Sequence, residues 1–346
     1  MNVNSIIKID GQMGEGGGQI LRACLALSLA LKKPFHLTDI RGRRPKPGLK
    51  RQHLACVKAA GEISGAEVQG AEINSTELFF QPGPLCPGDY SFDIGGGGSC
   101  TLVLQALLPP MMAAGKQPSR IKVSGGTHVP MAPVFEFFNE TLLPHLELLG
   151  GRFSSRLIRP GFMQIGGGLI EVEIEPADVL RPFYFKEIEA GEVVETEAFI
   201  RSYGLDECIA EREAGVIKQM LGLTNITAEH YSPSETGPGN MVVLKVRRSG
   251  YTTVFSGIAQ RGVTAEKVAR QAVNRLKQFL NAAVPVEAHL ADQLLVPLAL
   301  AGGGGFMTEQ PTLHTLTVLE LLPKFIDLNA KAVEIKPGAW LIEIER

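Results

Sequence analysis

The sequence predicts an α/β protein: a large domain of three β-α-β-α-β-β repeats with a smaller α/β domain inserted in the third. Two observations carry this. Short strand-like runs alternate with apolar stretches at helical spacing, and the order strand, glycine-rich turn, apolar helix recurs along the chain. At 346 residues, with 45 % apolar residues, the chain is long enough for more than one globular unit.

The first unit opens with Ile6-Ile7-Lys8-Ile9, turns through glycines and continues as a helix from Gln19 to Lys32. Strand Phe35-His36-Leu37-Thr38 follows, then a helix from about Gly48 to Ser64 with Leu54, Val57, Ala60 and Ile63 on one face. Extended runs at Glu67-Val68-Gln69 and Glu77-Leu78-Phe79-Phe80 close it. The second unit repeats the order: strand Tyr90–Ile94, turn Gly95–Gly98, helix Cys100–Ala114, strand Arg120–Val123 and helix Pro133–Leu149. Its closing runs are Arg152-Phe153 and Gly168–Ile174. Pro109-Pro110 should kink or shorten its first helix, because each lacks an N–H and clashes with the preceding turn. A third copy has helix Leu294–Ala301, strand Phe306–Thr308, helix Thr315–Leu322 and a hairpin around Lys336-Pro337-Gly338. It lacks a leading strand directly before it.

The stretch between has its own pattern, with strands at Val193–Ile200 and Val242–Val246 and helices at Cys208–Leu221 and Ala265–Leu280. The expected division is therefore 1–183 for repeats one and two, 184–282 for the inserted domain and 283–346 for the rest of repeat three.

Net charge is −2, so any attraction to nucleic acid must be local. The five scattered cysteines contain no C-x-x-C pair and suit a reducing compartment. No signal-like leader opens the chain, and the longest apolar runs fall short of the roughly twenty residues that span a bilayer. A cytoplasmic protein without membrane contact is expected.

Four segments could carry chemistry. Gly11-Gln12-Met13-Gly14-Glu15-Gly16-Gly17-Gly18-Gln19 lies between a strand and a helix, where backbone N–H groups favour an anion. Glu15 there is either an exposed residue on a tight turn or a ligand for a cation shared with phosphate. Arg41 to Arg51 holds six basic residues in eleven, either a solvated face or an anion grip. Asp292 and Gln293 precede an apolar helix, as a cap and a buried amide, or as a metal ligand and a base-reading amide. Gln105 poses the same alternative on the matching helix of repeat two. His314 stands in Pro311-Thr312-Leu313-His314-Thr315-Leu316-Thr317 with no metal-ligand spacing and no serine elbow near it. It is a core histidine or a nucleophile toward phosphorus. The run Gly125–Pro133 is a turn-rich loop suited to walling a pocket. Together these segments describe a phosphate-handling site drawn from equivalent ends of the repeats.

The sequence resembles the RNA 3′-terminal phosphate cyclase family. The matching residues are Asp10-Gly11, Gly14–Arg22, Ile40-Arg41, Arg44, Lys46–Leu49, Arg51–Leu54, Gly98–Gln105, Gly237–Asn240, Leu290–Gln293 and His314. The resemblance implies an ATP-dependent ligase that turns an RNA 3′-terminal phosphate into a 2′,3′-cyclic phosphate through a histidyl-AMP on His314. It implies ATP and a divalent metal, Mg or Mn, with Glu15 and Asp292 as metal ligands. Arg22, Arg41 and Arg44 would hold phosphates, and Gln52 and His53 would orient the substrate end. Gln105 and the run His289, Leu290, Ala291, Asp292 and Gln293 would contact the nucleotide. His289 stands where many relatives have an aromatic residue, and Thr317-Val318-Leu319-Glu320 departs from the family pattern after the histidine. The alternatives are a non-catalytic cyclase-like ribosome-assembly protein of the same fold, which would lack the histidine and much of the arginine set, and an enolpyruvyl-type transferase.

Overall fold

The computed structural model describes residues 6–185, 193–232 and 237–346. Its described residues form four four-stranded mixed sheets with helices between the strands, an α/β architecture.

Unit one runs β1 (Ile7–Asp10), α1 (Gly18–Leu31), β2 (Phe35–Thr38), α2 (Arg51–Ser64), β3 (Glu67–Gln69), β4 (Leu78–Gln81). The strand order is β1-β2-β4-β3, with β1 parallel to β2 and the other pairings antiparallel. Unit two runs β5 (Asp89–Asp93), α3 (Cys100–Ala114), β6 (Ser119–Gly125), α4 (Phe135–Phe137), a π-helical turn (Phe138–Leu142), α5 (Leu143–Glu147), β7 (Arg152–Arg159), β8 (Gly168–Glu175). Its order, β5-β6-β8-β7, has the same directions.

The third sheet repeats the plan as β9 (Tyr184–Phe185), β14 (Gly303–Thr308), β16 (Ala339–Glu345) and β15 (Asn329–Lys336). The leading strand missing directly before the third copy is thus β9, which pairs in parallel with β14. Between them lie β10 (Val193–Tyr203), α6 (Cys208–Leu221), β11 (Ile226–Tyr231), β12 (Gly239–Arg248), β13 (Tyr251–Ile258) and α7 (Ala265–Ala282). These strands make the fourth sheet, ordered β11-β10-β12-β13. Helices α8 (Ala288–Leu300) and α9 (Leu313–Phe325) complete the third plan.

Helices α1, α3 and α8 hold the same place in the three units and pack against one another. All three are apolar nearly all round, as buried helices must be. One core runs through the three units, and a second lies between the fourth sheet and α6 and α7.

Two local expectations change. Helix α3 is not shortened by Pro109-Pro110; it continues to Ala114 with both prolines buried. Packing of that apolar turn offsets the lost backbone bonds. Helix α2 starts at Arg51 rather than near Gly48. Pro45 and Pro47 hold the residues before them out of the helical region, and Gly48 has φ +76°. Strands β11 and β13 have no counterpart in the sequence reading.

Candidate active site

The first turns of α1, α3 and α8 converge on a cavity of about 500 Å³, with His314 at its edge. Gln19 and Arg22 come from α1, Gln105 from α3, and His289, Asp292 and Gln293 from α8. The spacing explains the last three. Helix α8 begins at Ala288 with Glu287 as its cap, its side chain accepting from the Leu290 N–H. Asp292 is therefore inside the helix, not capping it. Residues 289, 292 and 293 share a helix face. Leu290 and Ala291, 1 % and 0 % exposed, are turned into the core.

His314 is the second residue of α9, whose Thr312 cap accepts from the Thr315 N–H at 3.1 Å. Its side chain is 40 % exposed and lies between two carboxylates. Nδ1 is 3.5 Å from Asp292 Oδ2 and Nε2 is 3.4 Å from Glu15 Oε1. The carboxylates thus face opposite ring nitrogens instead of converging on one point. Among the described residues no cluster of three or more His, Cys, Asp or Glu side chains is arranged to hold a metal.

Glu15 is fixed by its loop. Gly14 has φ +52°, and a Cβ there would sit 2.1 Å from Thr317 Oγ1. That close approach lets the Glu15 N–H donate to Thr317 Oγ1 at 2.9 Å, while the hydroxyl donates to Leu313 O at 2.6 Å. The glycine loop and the start of α9 are locked together. The Glu15 carboxylate pairs with Arg44, and its Oε2 is buried without a partner.

The basic loop divides its work. Arg44 reaches Glu15, and Arg43 donates to Gly14 O at 2.8 Å. Arg41, at φ +56°, instead folds its own loop, donating to Lys46 O at 2.7 Å and Gly48 O at 3.1 Å. Arg22 is buried, pairs with Gln19 Oε1 and keeps an unpartnered Nε beside the cavity. His53 accepts from the Lys50 N–H at 3.1 Å. Burial, then the charges of Arg22, Arg41 and Lys50, push it down to about 3, so the ring is neutral near pH 7. Gln52 is turned away and accepts from the Ser99 N–H at 2.8 Å.

At the far side of the cavity, His289 lies against Arg275, with nitrogen separations of 2.6 and 3.1 Å, and 3.4 Å from Glu287. The Gln293 amide donates to His289 O at 2.8 Å. Gln105 also lines the cavity, and its Oε1 is buried and unpartnered. Val129 to Pro133 form one wall and Val254 to Ile258 of β13 another. Sequence reasoning assigned no role to Gln19 or Thr317, although both lie in segments it singled out, and it did not point to Arg275, Glu287 or the β13 wall. Gln19 carried a local signal, standing beside the glycine run.

The family model described as RNA 3′-terminal phosphate cyclase matches residues 13–332, nearly the whole chain. The chain belongs to the RNA 3′-terminal phosphate cyclase family. It is 42 % identical over 331 residues to a protein of that name from Pseudomonas fluorescens, covering 94 % of each. It is 42 % identical over 331 residues to one from Koribacter versatilis, covering 95 % of this chain and 92 % of that one. A third, from Ectopseudomonas mendocina, is 40 % identical over 341 residues and 98 % of both chains. Among the described residues no helix is long and apolar enough to cross a membrane.

Proposed function

We propose that this protein is an ATP-dependent RNA 3′-terminal phosphate cyclase acting through a histidyl-AMP on His314. The observation that carries the reading is the His314 ring at the cavity edge, with Asp292 facing Nδ1 and Glu15 facing Nε2. Asp292 accepts the Nδ1–H and fixes the tautomer that leaves the Nε2 lone pair free.

In the first step Nε2 attacks the α-phosphorus of ATP, the bond to the bridging oxygen breaks, and pyrophosphate leaves. Arg22, with its unpartnered Nε, and Arg44 stabilise charge on the phosphates. In the second step an oxygen of the RNA 3′-phosphate attacks the adenylyl phosphorus and the P–N bond breaks, returning neutral His314. In the third step the 2′-hydroxyl attacks the activated 3′-phosphorus, AMP leaves, and the hydroxyl proton is released. The neutral His53 and the amides of Gln19, Gln105 and Gln293 orient the reactants by hydrogen bonds without adding charge.

A divalent cation, Mg or Mn, fits one carboxylate. Glu15 would hold it through the unpartnered Oε2 together with phosphate oxygens, and it would withdraw charge from the triphosphate. Asp292, across the ring, suits orienting His314 better than sharing that ion. The division into a three-repeat domain and an inserted domain belongs to the same proposal, with the insert lying between β9 and α8 because Tyr184 and Phe185, expected at its start, pair with β14; so does a cytoplasmic location.

The test is incubation with α-³²P-labelled ATP and metal. The protein should take up an acid-labile, alkali-stable label, absent from His314→Ala, and RNA ending in a 3′-phosphate should discharge it. Label retained by folded His314→Ala sinks the assignment.

A further inference from the structure

Helix 135–147 borders the cavity and packs against the fourth sheet, whose strand β13 also lines the cavity. On one side Phe137 lines the cavity. On the other, three polar contacts reach three different strands. Glu136 Oε1 accepts from Arg201 of β10 at 2.9 Å, and Glu140 accepts from Lys245 of β12 at 2.6 Å. Thr141 Oγ1 accepts from the Val254 N–H of β13 at 3.1 Å. Strand β13 is the edge of its sheet, so Thr141 satisfies an N–H that the ladder leaves unpaired. The π-helical turn Phe138–Leu142 lies in this stretch. Its i→i+5 bonding helps residues five apart, such as Glu136 and Thr141, serve one face.

Glu136 also faces back toward the cavity wall. Its Oε2 is 2.9 Å from His128 Nε2, and His128 Nδ1 is 2.7 Å from Thr127 Oγ1. His128 is fully buried and adjoins Val129, where the wall begins. Burial acts to raise the Glu136 carboxyl, but His128 and Arg201 pull it down to about 2, so it is charged at working pH. One buried carboxylate thus joins the residue beside the Val129 wall to β10, while Thr141 of the same helix holds β13 directly.

We propose that Glu136, Glu140 and Thr141, through Arg201, Lys245 and the Val254 N–H, form a positioning device that docks the fourth sheet so that its edge strand β13 serves as a wall of the nucleotide cavity. The proposal rests on the reading that ATP occupies this cavity. The fourth sheet then takes part in ATP capture while supplying no group to the reacting phosphorus.

The experiment compares wild type with Glu136→Gln, Arg201→Met, Arg201→Lys and Lys245→Met, each checked for folding by thermal melt. Two quantities are read: the ATP dependence of self-adenylylation, and amide hydrogen exchange over 129–134 and 252–258. Glu136→Gln and Arg201→Met should raise the half-saturating ATP concentration on the order of tenfold with little change in the plateau rate. Arg201→Lys, keeping the charge, should recover most of that loss. Exchange should quicken on both walls together. If Glu136→Gln does not fold, Lys245→Met gives the same comparison on a pair that is less deeply buried. Unchanged ATP saturation in the folded variants overturns the proposal, as does exchange that loosens on the β13 side alone. Failure of the functional reading is seen separately, as wild-type protein that takes no label, and the exchange result then decides the coupling by itself.

Discussion

Two glycine-rich loops occupy the same place in units one and two, yet they are used differently. The first, after β1, carries Glu15, is clasped by Thr317 and lies against His314. The second, Gly95 to Gly98 after β5, has no carboxylate of its own. It is held by Arg51, which donates to Gly95 O at 2.9 Å, and ends at the Ser99 N–H bonded to Gln52. Neighbouring residues at the start of α2 part company here: Gln52 serves the second loop, while His53 packs against Gly18 at the end of the first. Repetition supplied the scaffold, and the carboxylate that the first loop places beside His314 is what the second loop lacks.

The largest effect should come from charge. Glu15→Gln keeps the shape of the first loop and should slow self-adenylylation by about a hundredfold or more, measured as label uptake. Asp93→Asn, at the root of the second loop, removes the charge but keeps an oxygen that accepts from the Gly95 N–H and the Ser124 hydroxyl, and should leave label uptake near that of wild type. Equal losses in the two variants would erase the distinction.

Glycine replacement sharpens it further. Gly14→Ala meets both a left-handed φ and the Thr317 hydroxyl, so it should cost about 2–5 kcal/mol in urea unfolding. Gly95→Ala at φ +73° meets nothing within 4 Å and should cost about 1–2 kcal/mol, the backbone strain alone.

The smallest effect is in pH. His53 folds with its pKa lowered from 6.5 to about 3, so below 6.5 the unfolded chain binds a proton that the native one refuses. Its contribution to stability is complete above 6.5 and shrinks as pH falls toward 3. His53→Asn should flatten that part of the acid slope, read as urea midpoints at neutral pH and about two units lower. The Gln52 side offers no such titration.

Much of this was legible in the residues. The recurring order of strand, glycine turn and apolar helix marked the repeated plan, because period and punctuation are local signals. His314, Glu15 and Asp292 stood out as polar residues in apolar or glycine-rich surroundings, and the structure brings them together. Leu290 and Ala291 could not be separated from Asp292 and Gln293 without the true start of α8, since helical phase decides which residues face the cavity. Gln52 and Arg41 looked like their neighbours in the basic loop, and only the folded path shows them bonded to backbone. Arg275 and the β13 wall were invisible because they arrive from a remote part of the chain. The π-helical turn leaves no periodic trace at all.

The clasp between Glu15 and Thr317 joins residues 302 positions apart. Likewise β9 must wait for β14, which is made only after the whole fourth sheet. At ribosomal speeds of about 5–20 residues per second, the nascent chain spends on the order of tens of seconds with its first loop unpaired. Through that interval no imidazole stands beside Glu15. On the proposed chemistry, competence therefore waits until α9 has emerged and brought His314 beside Glu15, and a chain terminated before it should take up no label.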